Sequence, residues 1–366
     1  MKIGFDAKRL FLNKTGLGNY ARTLVRNLQE LYPEHHYYLY TPRVVRNSDT
    51  EYFISDRFII RECKALIPSY WRRRGMVTDL LEDGIDLYHG LSHEIPWGIE
   101  KTGIKTCVTV HDLIFEVYPS LFKFIDRKMY HVKYKSSAER ADRVLAISHS
   151  TANDIQSLWS ISSDKIDVLY QSAGTDFFHI DNPESRKTSY LLYVGSVIER
   201  KGLLNIIKAY GLLKQRDFLP PLKIIGTGKA YLDLCKAEIR KQGMESWFQF
   251  VGEVENASLI DYYDESIGLI YPSVYEGFGI PIIEAMLRKV PVICSEVSSM
   301  PEAGGPYSIY ISPRNIQSLA DAIEHCLDYP EEMAIQAEKS YLYARENFNA
   351  QETAHSLLSI YRKLIK

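Results

Sequence analysis

Residues 271–288, YPSVYEGFGIPIIEAMLR, constrain the fold more than any other stretch of the chain, because they have the pattern of strand, loop and helix. Residues 267–273 have the pattern of the end of a buried strand, and two glycines follow in the loop 273–279. Pro281 suits a first helical turn, where its missing N–H costs nothing. The helix therefore begins beyond a strand's carboxyl end, and its start is predicted to present outward amides suited to an anion, those of Gly279, Ile280, Ile282 and Ile283.

Two carboxylates flank this helix start, Glu276 in the loop and Glu284 eight positions later. A carboxylate in a first helical turn can simply complement the helix dipole, which accounts for Glu284 taken alone. It does not account for Glu276 in front of a Gly-Phe-Gly-Ile-Pro turn. A carboxylate beside N–H donors binds hydroxyls while the amides bind an anion, so the pair predicts a sugar phosphate ligand.

The string EGFGIPIIE resembles the E-x7-E motif of the retaining glycosyltransferase family 4, also called glycosyltransferases group 1. The glycines, the proline and both glutamates fall in register over residues 275–285. The resemblance spans nearly the whole chain, and it is strongest over residues 190–300 and weakest over residues 42–85. It implies the α/β GT-B fold, with two facing Rossmann-like domains, parallel sheets, and a C-terminal helix returning to the first domain.

The rest of the chain has a matching organisation. Apolar runs alternate with helical patterns, which predicts doubly wound parallel sheets, and 366 residues suggest two domains. The polar segment 181–189 marks the boundary. We expect an acceptor-side domain at 1–172, a linker at 173–189, a nucleotide-sugar domain at 190–345 and a returning helix at 346–366. Residues 291–305 are taken as the last strand and its loop.

Arg200 and Lys201 follow the first strand of the second half, between Gly195 and Gly202. Surface Arg-Lys pairs are common, but beyond a parallel strand they suit a diphosphate, since arginine binds phosphate through a fork and lysine adds a point charge. The resemblance assigns them this role, gives Glu276 to the sugar and Glu284 to the ribose. It adds donor-binding positions at Gly277, Phe278, Gly279, Ile280, Gly16, Gly18, Ser196, Gly252 and Val254.

His111 directly follows a strand predicted to end at Val110. Ligands of open α/β sheets bind beyond the carboxyl ends of strands. The stretch VHDLIFEVYP resembles the family segment whose histidine approaches the transferred sugar. A histidine hydrogen-bonded within its loop is the alternative, and His89 and His93 rank behind His111.

Composition and charge limit the classes of partner and cofactor that we expect. The net charge is −2 and the pI is about 6.6, so nothing general supports nucleic-acid binding. Five scattered cysteines without a C-x-x-C pair favour reduced thiols and a cytoplasmic protein. No acidic metal motif stands at a strand end, so we expect neither a metal ion nor another cofactor, with Arg200 and Lys201 in place of a divalent cation.

The segment Trp71-Arg72-Arg73-Arg74 is the one dense basic run. An aromatic residue beside cations suits an anionic membrane surface, and a solvated helix face is the other interpretation. The sequence thus leaves open a peripheral contact with the inner face of the membrane.

These observations predict a retaining hexosyltransferase that uses a nucleotide-diphosphate sugar and a glycan or lipid-linked acceptor in surface polysaccharide synthesis. Residues 105–120 and 190–205 resemble lipopolysaccharide and capsule mannosyltransferases, which favours GDP-mannose over UDP-hexoses. An epimerase or hydrolase on the same fold and a noncatalytic nucleotide-sugar-binding protein are alternatives. A dinucleotide oxidoreductase is a further one, but VGSVIERKG lacks the G-x-G-x-x-G fingerprint.

Overall fold

The computed structural model describes residues 1–179 and 189–365, without the side chains of residues 256 and 257. The chain divides into two compact units, the first comprising Met1–Ser172 with Ala350–Lys366 and the second comprising Ala173–Asn349. Of the predicted linker, residues 180–188 lie outside the described part, and residues 173–179 belong to the second unit.

Seven parallel strands form the sheet of the first unit, in the order β3-β2-β1-β4-β5-β6-β7. Alternate residues of the second strand enter different core clusters, Tyr37 and Leu39 on one face and Tyr38 and Tyr40 on the other. The sheet is therefore buried on both faces, as parallel sheets require. The strands are β1 (Lys2–Asp6), β2 (His36–Thr41), β3 (Phe58–Glu62), β4 (Leu87–Gly90), β5 (Lys105–Val110), β6 (Arg143–Ala146) and β7 (Ile166–Val168).

The connections of the first unit are helical. Two π-helical turns, Trp71–Gly75 and His131–Lys135, each join two consecutive helices. Ser148 caps the helix that begins at His149, because its Oγ accepts a hydrogen bond from the Thr151 N–H at 3.0 Å. The helices are α1 (Lys8–Leu12), α2 (Gly16–Leu31), α3 (Pro68–Tyr70), α4 (Met76–Glu82), α5 (Ile114–Val117), α6 (Phe124–Tyr130), α7 (Ser136–Arg140) and α8 (His149–Trp159).

Six parallel strands form the sheet of the second unit, in the order β10-β9-β8-β11-β12-β13. The expectation that residues 291–305 hold the last strand is wrong, because Ile309–Ile311 adds a further edge strand beside Val292–Ser295. Three residues are too few to show a period. The strands are β8 (Tyr190–Val194), β9 (Leu222–Ile225), β10 (Phe248–Gly252), β11 (Ser266–Tyr271), β12 (Val292–Ser295) and β13 (Ile309–Ile311).

The last helix leaves the second unit and packs in the first, which confirms the predicted return. Leu357, Leu358 and Tyr361 join the core formed by β1 and α2, so the helix buries its apolar face there. The remaining helices are α9 (Leu203–Leu213), α10 (Ala230–Gln242), α11 (Asn256–Asp264), α12 (Ile280–Leu287), α13 (Met300–Gly304), α14 (Ile316–Asp328), α15 (Pro330–Asn347) and α16 (Ala350–Ile365).

Both sheets reverse their strand order at one point, between β1 and β4 in the first unit and between β8 and β11 in the second. In open α/β sheets, ligands bind beyond the carboxyl ends of the strands at such a switch point. The two switch points are therefore where candidate sites are sought.

Candidate functional site

Two loops meet at the switch point of the second unit, residues 195–202 after β8 and residues 272–279 after β11. Gly202 has φ 71°, and a Cβ there would lie 2.6 Å from the Pro272 carbonyl oxygen. Only glycine adopts this conformation and tolerates this approach without strain. The Val274 N–H donates to the Arg200 carbonyl at 2.8 Å, so backbone contacts hold the loops together.

The side chains of Arg200, Lys201 and Glu276 meet between these loops. Arg200 Nη1 lies 2.7 Å and Lys201 Nζ lies 2.9 Å from Glu276 Oε1. Ser273 Oγ donates to the same oxygen at 2.8 Å. The structure thus joins three of the predicted catalytic residues in one largely buried cluster.

The charged groups of the cluster shift one another's pKa values. Burial alone would raise the pKa of Glu276, but Lys201 and Arg200 outweigh it and hold that pKa at about 2. Burial lowers the pKa of Lys201, and Glu276 opposes this shift. Glu276 is therefore an ionised counter-ion to two cations. An anion of higher charge can take its place beside Arg200 and Lys201.

Tyr271 completes the cluster and was missed in the sequence. Lys201 Nζ donates to Tyr271 Oη at 2.6 Å and lies 4.7 Å from the centre of its ring. A tyrosine at the end of an apolar strand has the pattern of a core residue, and no other feature of the sequence marks it. In the fold its hydroxyl fixes the position of the lysine ammonium.

Two serines after β12 hold the loop of Glu276 and were also missed. The Glu276 N–H donates to Ser298 Oγ at 3.0 Å, and Ser299 Oγ donates to the Phe278 carbonyl at 2.8 Å. The sequence shows only small residues here, and the contact depends on the pairing of β11 with β12. The loop is thereby preorganised before any ligand binds.

Glu284 lies in a different environment, inside α12. It is 8% exposed, and Tyr263 Oη donates to its Oε2 at 2.8 Å. Burial raises the pKa of Glu284 to about 7, and the Tyr263 hydrogen bond offsets this only in part. The two glutamates of the motif therefore differ in charge behaviour near neutral pH.

One of the four amides that were predicted to face outward at the start of α12 does not do so. The Ile282 N–H donates to the Gly279 carbonyl at 2.9 Å, so this amide is used within the turn and does not face outward. The Phe278 ring is buried against Phe348, with the ring centres 5.5 Å apart, which leaves only its backbone to reach a ligand. Gly277 and Ile280 are partly exposed at the same turn.

The other predicted donor positions of this unit lie along the same sheet edge. Ser196 is exposed just after β8. Gly252 ends β10, two strand positions from β8, and its carbonyl accepts the Gly226 N–H at 2.7 Å. Val254 follows and is partly exposed. They flank the charged cluster on the side of β8 that faces away from β11.

In the first unit, His111 lies buried at the end of β5. Its Nε2–H donates to the Leu91 carbonyl at 2.9 Å, and its ring meets Tyr20 edge-on at 4.7 Å. Burial, reinforced by His93, lowers the pKa of His111 to about 3, so the ring is neutral. This geometry matches the alternative of a histidine hydrogen-bonded within its loop, and it leaves Nδ1 as the ring's acceptor.

Gly16 and Gly18, which were predicted as donor-binding positions, lie in the first turn of α2. A Cβ on Gly18 would lie 1.9 Å from the Asn13 carbonyl oxygen. Close backbone packing therefore explains Gly18 without a ligand.

The first two residues of the basic run contact partners within the protein, which does not support the membrane contact that the sequence left open. Trp71 is 5% exposed and donates its indole N–H to Asp79 at 2.7 Å. Arg72 forms ion pairs with Asp6 and Glu94. Only Arg73 and Arg74 are exposed.

Three observations concern metals, membranes and cysteines. Across residues 1–179 and 189–365, no three His, Cys, Asp or Glu side chains gather closely enough to hold a metal ion. No helix in the described part has the length and apolar character needed to cross a membrane. The five cysteines are free thiols, and all but Cys63 are buried.

Family models cover both halves of the chain. The model described as Glycosyltransferase Family 4 matches residues 14–176. The model described as Glycosyl transferases group 1 matches residues 174–343 and so contains the charged cluster and both motif glutamates.

Two curated proteins illustrate the sequence similarity. The chain is 27% identical over 345 residues to O-antigen chain mannosyltransferase B of Escherichia coli, covering 87% of this chain and 89% of that protein. It is 30% identical over 234 residues to O-antigen chain mannosyltransferase RfbU of Salmonella typhimurium, covering 61% of this chain and 64% of that protein.

Solved structures show the same fold. Sucrose-phosphate synthase from Thermosynechococcus elongatus aligns with a TM-score of 0.81 at 19% identity, over 100% of this chain and 99% of that chain. HepE from Anabaena, solved in complex with UDP-glucose, aligns with a TM-score of 0.77 at 16% identity, over 100% of both chains.

Proposed function

Because this chain belongs to the glycosyltransferases of group 1 and family 4, we propose that it transfers a hexose from a nucleotide-diphosphate sugar with retention of configuration and without a metal ion. The observation that carries the proposal is the cluster of Arg200, Lys201 and Glu276 at the switch point of the second unit. Two adjacent cations at this position suit a diphosphate.

The cations act on the leaving group. As the glycosidic bond breaks, negative charge grows on the diphosphate, and a preorganised arginine fork with a lysine stabilises it where it forms. Glu276 is their anionic partner in the free protein. The diphosphate replaces it, and the released carboxylate then accepts hydrogen bonds from the hydroxyls of the sugar.

In the transfer, the bond between the anomeric carbon and the diphosphate oxygen breaks, and a bond from that carbon to an acceptor hydroxyl forms. The proton of the hydroxyl passes to the leaving phosphate oxygen, and attack on the same face retains the configuration. Glu284 accepts hydrogen bonds from the ribose hydroxyls. His111, which is neutral, approaches the sugar with Nδ1 as an acceptor, an atom that lies 3.5 Å from Gln171 Nε2 in the structure.

Mannose from GDP-mannose is the donor sugar that we favour, with a glycan or lipid-linked acceptor of a surface polysaccharide at the cytoplasmic face of the membrane. The support is the pair of relatives named as O-antigen chain mannosyltransferases. A UDP-hexose ranks second. An epimerase or hydrolase would turn over the donor equally fast without acceptor, and a noncatalytic binding protein would not turn it over at all.

A thermal-shift screen of nucleoside diphosphates tests the donor assignment. A ligand stabilises the folded state by RT ln(1 + [L]/Kd), about 2.7 kcal/mol at a hundredfold excess over Kd. We expect GDP to raise the unfolding midpoint more than UDP or ADP. A larger shift with UDP would favour a UDP-hexose as the donor. No shift with any diphosphate would contradict the proposed function.

We propose the peripheral membrane contact on a surface other than the basic run 71–74. Residues 121–135 carry five basic residues and one acid, Asp126. Phe122, Tyr130 and Tyr134 pack inward on the core. The outward face stays apolar and exposed, with Ile125 79% exposed, and comprises Leu121, Ile125, Met129 and Val132. Such a face among cations suits the interface of an anionic bilayer.

Vesicle sedimentation tests this contact. We expect the full chain to bind phosphatidylcholine vesicles only when they contain phosphatidylglycerol, and to lose that binding when Ile125→Ser and Met129→Ser are combined. Leu234→Ser, at an exposed leucine of the second unit, is the matched control. Equal binding by both variants, or none by the wild type, would disprove the contact.

A further inference from the structure

A chain of buried hydrogen bonds crosses the core of the first unit. Tyr361 Oη, on α16, lies 2.5 Å from His89 Nδ1, and His89 Nε2 lies 2.8 Å from Thr109 Oγ1. The same threonine oxygen lies 2.9 Å from Tyr20 Oη, on α2. His89, Thr109 and Tyr361 have no exposed surface, and Tyr20 is 6% exposed. Four polar side chains therefore connect α16, β4, β5 and α2 inside an apolar core.

The hydrogens of this chain have one favoured arrangement. Burial lowers the pKa of His89 to about 3, so its ring is neutral and carries one N–H. The four groups then offer four hydrogens to three contacts, and one hydrogen is left at one end. Tyr361 Oη has no other partner among the described residues, whereas Tyr20 lines a pocket together with Gln171. The remaining hydrogen therefore lies on Tyr20, where it can reach water, because a buried O–H without an acceptor is costly.

This arrangement gives each bond of the chain a direction. Tyr361 donates to His89 Nδ1, and His89 Nε2–H donates to Thr109 Oγ1. The Thr109 hydroxyl in turn donates to Tyr20 Oη. Replacing both partners of a buried hydrogen bond by apolar groups of the same shape is nearly neutral, so stability alone does not require these groups. A hydrogen-bonded network instead holds its side chains in one arrangement.

The chain ends beside His111. The Tyr20 ring stands at 90° to the His111 ring, with the ring centres 4.7 Å apart. Thr109 lies in β5, two residues before His111, and its carbonyl accepts the His93 N–H at 2.8 Å. The Leu91 carbonyl accepts from His111 Nε2 at 2.9 Å. The imidazole is therefore fixed by one hydrogen bond and by a ring whose hydroxyl the chain holds in place.

We propose that this hydrogen-bonded chain positions His111 for sugar transfer, with Thr109 as its central link. The chain holds the Tyr20 ring, and that ring keeps the imidazole in the orientation that presents Nδ1 to the sugar. Tyr361 brings α16 into this arrangement, which gives the returning helix a part in the reaction. The inference rests on the proposed function and deepens it, because it names residues that act on the reaction through His111.

Thr109→Val tests the central link, because a methyl group of similar size replaces the hydroxyl that bridges His89 and Tyr20. We expect kcat to fall about fivefold or more, as for loss of one hydrogen bond. Nucleoside diphosphate affinity should be unchanged, since Arg200 and Lys201 belong to the second unit. Thr109→Ser keeps the hydroxyl and should restore kcat.

Tyr361→Phe removes the donor at the other end of the chain and should also lower kcat. Tyr37→Phe is the matched control, because its buried hydroxyl lies in the same core but donates to the Leu28 and Tyr32 carbonyls. We expect the control to keep the kcat of the wild type. A kcat equal to that of the wild type in both Thr109→Val and Tyr361→Phe would show that the chain only stabilises the fold, and would overturn the inference.

Histidine ¹⁵N NMR on the wild-type chain tests the arrangement without a change in the core, with signals assigned from His89→Gln and His111→Gln. We expect both rings to be neutral at neutral pH, with the proton on Nε2. A proton on Nδ1 of His89, or a charged His89 ring, overturns the inference. Failure of the proposed function shows separately, as the absence of hexose transfer by the wild type and of any thermal shift with nucleoside diphosphates.

Discussion

At the scale of single residues, we predict different chemical roles for the two glutamates of the motif because their surroundings differ. Glu276 contacts two cations at the switch point, whereas Glu284 is buried beside Tyr263. We expect Glu284→Ala to weaken binding of both donor and free nucleoside diphosphate. Glu276→Ala should lower kcat without weakening nucleoside diphosphate binding, since the diphosphate is proposed to displace this carboxylate from Arg200 and Lys201. Each loss should amount to about 1.5–3 kcal/mol, measured by calorimetry and steady-state kinetics. An equal loss of nucleotide affinity in both variants would refute this division.

The pH dependence of stability gives a second test of Glu284. Its pKa is raised by burial from 4.5 to about 7, so the stability contributed by its protonated form is full below pH 4.5 and is lost as the pH rises through 7. The loss is on the order of 3 kcal/mol. We expect Glu284→Gln to flatten the fall in unfolding midpoint over that range. A decline as steep as that of the wild type would contradict the assignment.

Tyr271 is a positioning residue for Lys201. Tyr271→Phe removes the hydroxyl that accepts from Nζ, and we expect nucleoside diphosphate affinity to fall by about 1 kcal/mol, roughly fivefold. Tyr210→Phe is the matched control, because its buried hydroxyl donates to the Pro220 carbonyl, away from the cluster. A purely structural role would lower the melting midpoint in both variants and leave nucleotide affinity unchanged in both.

At the scale of elements, the two loops at the switch point depend on one glycine. Gly202→Ala would force a strained φ and a contact with Pro272, which displaces Arg200 and Lys201. Gly243→Ala imposes the same strain at φ 64°, with no atom within 4 Å of the new Cβ. We expect both variants to lose about 1–2 kcal/mol of stability and only Gly202→Ala to lose nucleotide affinity. Calorimetric titration of both variants would show whether affinity is lost at only one glycine.

The sequence predicts elements well where a local pattern is strong. The alternation of apolar runs and helices indicated the parallel sheets, and Pro281 and Gly279 marked the start of α12. Contacts that depend on strand pairing gave no local signal, so Tyr271, Ser298 and the ion pairs of Arg72 were missed. The edge strand Ile309–Ile311 was missed because it is short.

At the scale of the whole molecule, the two units repeat one strand order. The structure confirms the two Rossmann-like domains with parallel sheets that the family resemblance implied. The cation cluster lies at the switch point of the second unit. Composition could not reveal this cluster, because a net charge of −2 averages over clusters of opposite sign.

The proposed metal independence is tested by measuring turnover. We expect turnover to be unchanged in EDTA, because Arg200 and Lys201 are proposed to supply the positive charge that a divalent ion would otherwise provide. Restoration of a lost activity by magnesium or manganese would show that the phosphate assignment is wrong. The control is the same assay on enzyme dialysed without chelator.

The proposed binding of a diphosphate by Arg200 and Lys201 is best tested by calorimetric titration of nucleoside diphosphate in EDTA. Three proteins are compared: the wild type, the double variant Arg200→Ala/Lys201→Ala, and Lys208→Ala, an exposed cationic control on α9. We expect one diphosphate bound per chain in the wild type and the control. The double variant should bind at least about a hundredfold more weakly, because two hydrogen bonds to charged groups are lost. Equally tight binding by the double variant and the wild type would show that these two cations do not bind the diphosphate.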